Sequence, residues 1–161
     1  MKTLLASAAL LTLSLTACMP STSMGMSNSG MTKPADTMMA KMSTFSGTVS
    51  GSNEVPAVTS SVSGNVTLTL NEDAKTAQVT GMVMNLSGAP VASHIHAPAL
   101  KGSNAGVLKP LTYTASGTNM YTISGGFSLT DAEIADLKAK KFYFNIHTPA
   151  NPGGEGRAQL E

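Results

Sequence analysis

The three histidines of the chain stand in two copies of one short pattern, Ile95-His96-Ala97-Pro98-Ala99 and Ile146-His147-Thr148-Pro149-Ala150, and His94 completes a His-x-His in the first. Neutral imidazole suits copper, zinc, iron and nickel alike, so these residues point to a metal without choosing it. Residues i and i+2 of a strand lie roughly 6.6 to 6.8 Å apart, and rings leaning together reach a shared ion at about 2.0–2.1 Å. His147, from a nearby strand, completes an open three-nitrogen site. The alternative is three surface histidines in turns. A His-x-His joined by the remaining histidine in a repeated motif favours the metal.

Two further groups of residues bear on that chemistry. Arg157, the single arginine, follows the loop Thr148-Pro149-Ala150-Asn151-Pro152-Gly153-Gly154-Glu155-Gly156. Its glycines permit a tight fold that returns the guanidinium to the end of the His147 strand, where fixed positive charge attracts a small anion. The alternative is a surface ion pair with Glu155, two residues earlier on the same strand face. The loop is not a phosphate loop, because the lysine and Ser/Thr of that motif are absent. Upstream, methionines stand at 19, 24, 26, 31, 38, 39 and 42. Thioethers are soft ligands suited to Cu(I), which makes Met24, Met26, Met38, Met39 and Met42 candidate auxiliary ligands. A mobile spacer, or a sink for oxidants, would use the same residues.

Strands must carry the histidines. From Phe45 the apolar residues alternate: Phe45, Gly47 and Val49, then Val66, Leu68 and Leu70, with Asn71-Glu72-Asp73 turning the chain into Thr76 to Met84. Further strands fit Val91 to His96, Val107 to Leu111, Thr118 to Ser124, Phe142 to His147 and Arg157 to Leu160. About eight antiparallel strands imply an all-β sandwich or barrel. Thr130-Asp131-Ala132-Glu133 opens one short helix with a capping box. Proline two residues after His96 and after His147 ends each strand there. In both strands the histidines share a face opposite Ile95, Phe142, Phe144 and Ile146, which sets the imidazoles outward if the apolar faces form the core.

Before the domain, Met1-Lys2, an apolar run from Leu4 to Leu15 and Leu15-Thr16-Ala17-Cys18 resemble a bacterial lipoprotein signal. That resemblance implies cleavage after residue 17, diacylation of Cys18 and anchorage to a membrane in the cell envelope, on the periplasmic or outer-surface side. A plain secretory signal with an incidental cysteine is the other reading. Residues 18–43 then form a tether and 44–161 the domain, since a stretch so poor in branched and aromatic residues cannot bury enough surface to order itself. The lone cysteine excludes an internal disulfide and a Cys-rich zinc site. Net charge +1, 4% aromatic residues and no tryptophan exclude a nucleic-acid partner.

These motifs, with Ser50-Gly51-Ser52-Asn53-Glu54-Val55-Pro56 upstream, resemble the CHRD domain family, named after chordin, from about Phe45 to the C-terminus. A more distant resemblance is to copper superoxide dismutases, which use a His-x-His, a later copper-binding histidine and an arginine after a Gly-rich turn on a Greek-key β-sandwich. That analogy implies His94, His96 and His147 as copper ligands, with zinc not excluded, and Arg157 guiding superoxide or another small anion, helped by Lys101 and Lys109 at the rim. No histidine lies between 97 and 146 to serve as the bridging ligand of those enzymes. Asp131 and Asp136, the aspartates of that stretch, fall in the expected helix. The resemblance therefore implies a copper-only site with water or another residue as proton source. A non-enzymatic module that stores copper or binds an envelope protein partner is the alternative.

Overall fold

The computed structural model describes residues 40–161. The signal over 1–17, Cys18, Met24, Met26, Met38 and Met39 lie outside the described residues. Among the described residues nine strands, one α-helix and a three-residue 3-10 helix (Gly51–Asn53, after β1) follow in order: β1 (Met42–Ser50), β2 (Ser63–Asn71), β3 (Thr76–Met84), β4 (Ala92–His96), β5 (Val107–Pro110), β6 (Thr112–Gly117), β7 (Met120–Ser128), α1 (Asp131–Lys138), β8 (Tyr143–His147) and β9 (Gly156–Gln159). Met42, counted above with the tether, is the first residue of β1.

All pairings are antiparallel, in one sheet of order β5-β4-β8-β9-β1-β2-β3-β7-β6. Its two edge strands are consecutive in the chain. Leu111 alone separates β5 from β6, and its N–H donates to Ser93 O of β4 at 2.8 Å. The chain thus steps from one edge of the sheet to the other and nearly closes it. With β5 and β6 taken as one bent strand, β4, β5/β6 and β7 are successive neighbours and β8 returns beside β4, which is a Greek key.

The all-β expectation holds, with nine strands where about eight were counted. The expected strand over Thr118 to Ser124 is corrected: Thr118 and Asn119 form the turn of a β6–β7 hairpin. Asn119 has φ +50°, a left-handed conformation that asparagine tolerates. Nearly all of β6 is exposed, so its sequence carries no alternation to reveal a strand.

The inward positions of the alternating strands make the core. Val66, Leu68, Leu70, Val83, Ile95, Ile123, Phe144 and Ile146 are fully buried, and a one-residue slip of any strand would turn its set toward water. Helix α1 bridges β7 to β8. Thr130 Oγ1 accepts from Glu133 N at 3.2 Å while Glu133 Oε2 accepts from Thr130 N at 2.6 Å, and Leu137 inserts into the core. β4 and β8 end at His96 and His147, as their prolines require.

Candidate metal centre

β8 runs between β4 and β9, and the antiparallel register decides what stands beside what on the outer face. His94 faces Asn145, which faces Arg157; His96 faces Tyr143; His147 faces Ala92. Residues directly opposite share a face. His94 and His96 on β4 therefore meet His147 diagonally across the ladder. One ring nitrogen from each of the three lies within 4.8 Å of the others, and this is the group found among the described residues that fits a metal ion.

Hydrogen bonds decide which nitrogens. His96 Nδ1 is 3.0 Å from Ala105 O and His147 Nδ1 is 3.0 Å from Pro152 O. A carbonyl only accepts, so each Nδ1 carries the proton and each Nε2 keeps a bare lone pair. His96 Nε2 is buried and has no hydrogen-bond partner among the described residues. His147 Nε2 faces His94 Nδ1 at 3.2 Å. Two nitrogens about 2.0–2.1 Å from one ion are ~3.2 Å apart when they subtend roughly 100°, close to tetrahedral. The donor set is thus Nδ1 of His94 with Nε2 of His96 and His147, and it fits a metal: a buried lone pair with no partner is costly unless something binds it.

Burial also favours the neutral form of His94 and His96. Desolvation pulls His94 below the ordinary histidine pKa, with the neighbouring His147 adding to the effect. Desolvation likewise lowers His96; the Ala105 carbonyl opposes this, and His94, His147 and Arg157 reinforce it. Neutral imidazole is the ligating form.

The outer face is not open to water as its alternation suggests. Tyr143 and Asn145 are 3% exposed and His96 is 8% exposed, because the segments 51–62, 97–106 and 148–156 fold over it. Arg157 is buried under the same cover at 1% exposure. Its guanidinium lies 3.5 Å from the Tyr143 ring centroid, donates from Nη1 to Asn104 Oδ1 at 2.9 Å, and from Nη2 to Ser103 O. Tyr143 in turn stacks on His96 at 4.8 Å with the rings 5° apart. Arg157 thus stands one strand away from His147 and two from His94 and His96, behind Tyr143.

The Glu155 partnership is corrected. Glu155 is fully buried, and its carboxylate accepts from Ser60 Oγ, Ser87 N, Ser87 Oγ and Thr148 Oγ1 at 2.6 to 2.7 Å. Burial alone would raise its pKa, yet these hydrogen bonds outweigh that and hold it below the ordinary carboxylate value. Lys109 is corrected too: it pairs with Ile95, on the face opposite the histidines, and reaches toward Glu133 and the Phe127 ring. Lys101 lies exposed on the 97–106 segment.

Glu54, Asn145 and Tyr143 escaped the reading of the sequence. Glu54 Oε1 accepts from Asn145 Nδ2 at 2.7 Å. Asn145 and Tyr143 share the His147 face of β8 at spacings of two, the signal that would have found them. Glu54 had only its place in Asn-Glu-Val-Pro.

No curated protein and no solved structure matches the chain. A family model does, over residues 45–160, the whole of the folded part but its first strand residues and last residue, and so the chain belongs to the CHRD domain family.

Proposed function

We propose that this protein is a lipid-anchored envelope copper protein that disproportionates superoxide at His94, His96 and His147. The observation that carries the reading is the pair of backbone carbonyls, Ala105 O and Pro152 O, that fix two tautomers so that the bare Nε2 atoms of His96 and His147 converge with the His94 ring on one point. Copper, passing between Cu(II) and Cu(I), would supply the one-electron chemistry. With such an ion held by His94, His96 and His147, one superoxide would be oxidised to dioxygen and the next, with one electron and two protons, would be reduced to hydrogen peroxide. The chain's own residues hold the ring orientations, exclude bulk water and admit a small anion past the half-buried His94 and His147.

Arg157 serves this site from behind. It does not touch the ligating nitrogens; it locks Tyr143 against His96 and contributes positive potential through a low-dielectric wall, which strengthens attraction for an anion. The methionines of 19–42 would catch Cu(I) and pass it to the histidines.

The test is metal analysis and electron spin resonance on protein purified without added metal or a polyhistidine tag, followed by a superoxide assay. Copper in a nitrogen-rich site, with dismutation lost in His147→Ala, is the expected result. Absence of copper, or dismutation that persists in His147→Ala, would overturn the reading. A second reading rests on exposed apolar residues: Val91, Leu100 and Val107 are each more than half exposed, Val91 N–H donates to His147 O and Val107 pairs with His96. Copper without dismutation would favour a module that stores metal or presents these residues to an envelope partner.

A further inference from the structure

We propose that Glu54 is the proton donor of the histidine site, serving it through the cleft that the residue lines; this inference rests on the dismutase reading above. The analogy with copper superoxide dismutases leaves this chain without the bridging histidine that helps to deliver a proton, and the tertiary structure supplies a carboxyl group instead.

Four observations converge on it. Glu54 is 8% exposed, its Oε1 held by Asn145 Nδ2 at 2.7 Å, and its other oxygen has no hydrogen-bond partner among the described residues. The residue lines a cleft of about 280 Å³ between Val55, Pro56 and Val58 on one side and the 150–154 loop on the other. That loop contains Pro152, whose carbonyl orients His147, so the cleft and His147 share that loop. Asn145 faces His94 across the ladder and stands two residues before His147 on the same face, and its Oδ1 is buried without a partner among the described residues. A water between the free Glu54 oxygen and Asn145 Oδ1 would have the two polar partners that a held water needs, on the sheet face that carries the imidazoles.

Glycine at 154 makes this approach feasible. Its φ is +130°, and a Cβ there would stand 2.6 Å from Asn145 Nδ2 and 2.8 Å from Glu54 Oε1. Among the charged and titratable groups of the neighbouring elements, Arg157 of β9 acts on the carboxyl and carries Tyr143 of β8 stacked on it; His147 of β8 and His94 and His96 of β4 lie on the sheet face that bears Asn145; and Glu155 of the covering loop has its oxygens committed to Ser60, Ser87 and Thr148. Burial pushes Glu54 up to about 7, against the pull of Arg157 and of the Asn145 amide. An acid poised near neutrality is the kind that transfers protons well.

The step balances as follows. Superoxide, one electron and two protons give hydrogen peroxide; the electron comes from the reduced metal ion, one proton from the Glu54 carboxyl group and the other from solvent. Glu54 is left as carboxylate and regains its proton from water in the cleft.

Two measurements on the full chain test this. In metal-free protein, infrared difference spectra should show a protonated-carboxyl stretch that disappears near pH 7 and is missing in Glu54→Gln. In copper-loaded protein, the parent rate should fall as pH rises through that value, while Glu54→Gln should be slower by at least ~10-fold below it, lack the inflection and recover with small buffer acids. Glu54→Asp, which retains a carboxyl group, should keep the inflection. Equal copper content in all variants shows that the site is intact. No titrating carboxyl near pH 7, or a pH profile unchanged in Glu54→Gln, would overturn the proposal. A loaded parent protein that does not dismutate superoxide would fail the dismutase reading, and the donor role with it, whereas failure in the infrared arm alone removes only Glu54.

Discussion

The ligating power of His96 and His147 comes from the carbonyls behind them. Removing a ring removes a ligand, whereas moving a carbonyl only loosens one, and outer partners of metal ligands typically account for about 10–100-fold in affinity. Gly154→Ala probes the second case. Its Cβ collides with Asn145 and Glu54 and shifts the loop that carries Pro152. We expect copper binding weakened by about 10-fold in a competition titration, with a folded circular dichroism spectrum. Unchanged affinity would mean that the Pro152 carbonyl does not position His147. Arg157→Lys keeps the charge but loses the forked donation to Asn104 and Ser103 and the flat stacking on Tyr143. The expected cost is about 1–3 kcal/mol in denaturant unfolding, with copper retained. A stability within error of the parent protein would show that the buried contacts contribute little.

At the scale of elements, the three covering segments matter as much as the strands. Glu155 ties residue 60, residue 87 and residue 148 to one carboxylate. Removing it in Glu155→Ala leaves several buried donors unpaired, each worth about 1–3 kcal/mol, so this variant should unfold at much lower denaturant and bind copper more weakly. Thr130→Ala is the contrasting case. It removes the cap of α1, which takes no part in the histidines' hydrogen bonds, and should cost about 1 kcal/mol with copper affinity unchanged. Equal effects of the two variants on copper affinity would show that the covering loops have no special hold on the site.

For the whole molecule, the titrating groups pull stability in opposite directions with pH. His94 and His96 are held below 6.5 in the folded protein, so the unfolded chain takes up their protons first and metal-free stability falls as pH drops below about 6.5. Glu54 is raised from 4.5 to about 7, so the unfolded chain loses that proton first and stability falls as pH rises between those values. Melting of metal-free parent and Glu54→Gln from pH 4.5 to 8 should therefore show the variant losing less stability on the alkaline side. Parallel curves would show that Glu54 does not titrate in that range. Copper should raise the melting temperature, because an ion held by the folded state alone stabilises it by mass action. It should be released as pH falls below about 6.5 and protons compete for the imidazoles. Full occupancy at pH 4 would contradict the three-histidine ligand set.

Much of this was legible in the residues themselves. Alternation along Val66 to Leu70 and Phe142 to His147, the prolines after His96 and His147, and the capping box at Thr130 are local features, set by two or three neighbouring positions, and they dictated strands, strand ends and helix without reference to distant parts. So did the shared face of His94 and His96. Other features were decided between segments remote in sequence. Ala105 and Pro152 choose the tautomers; Asn104 and Ser103 bury an arginine that composition alone would leave at the surface; Glu54 meets Asn145 across 91 positions of chain. Periodicity reports which face a side chain takes, but whether that face meets water depends on which loops close over it, and only the folded chain brings those loops there.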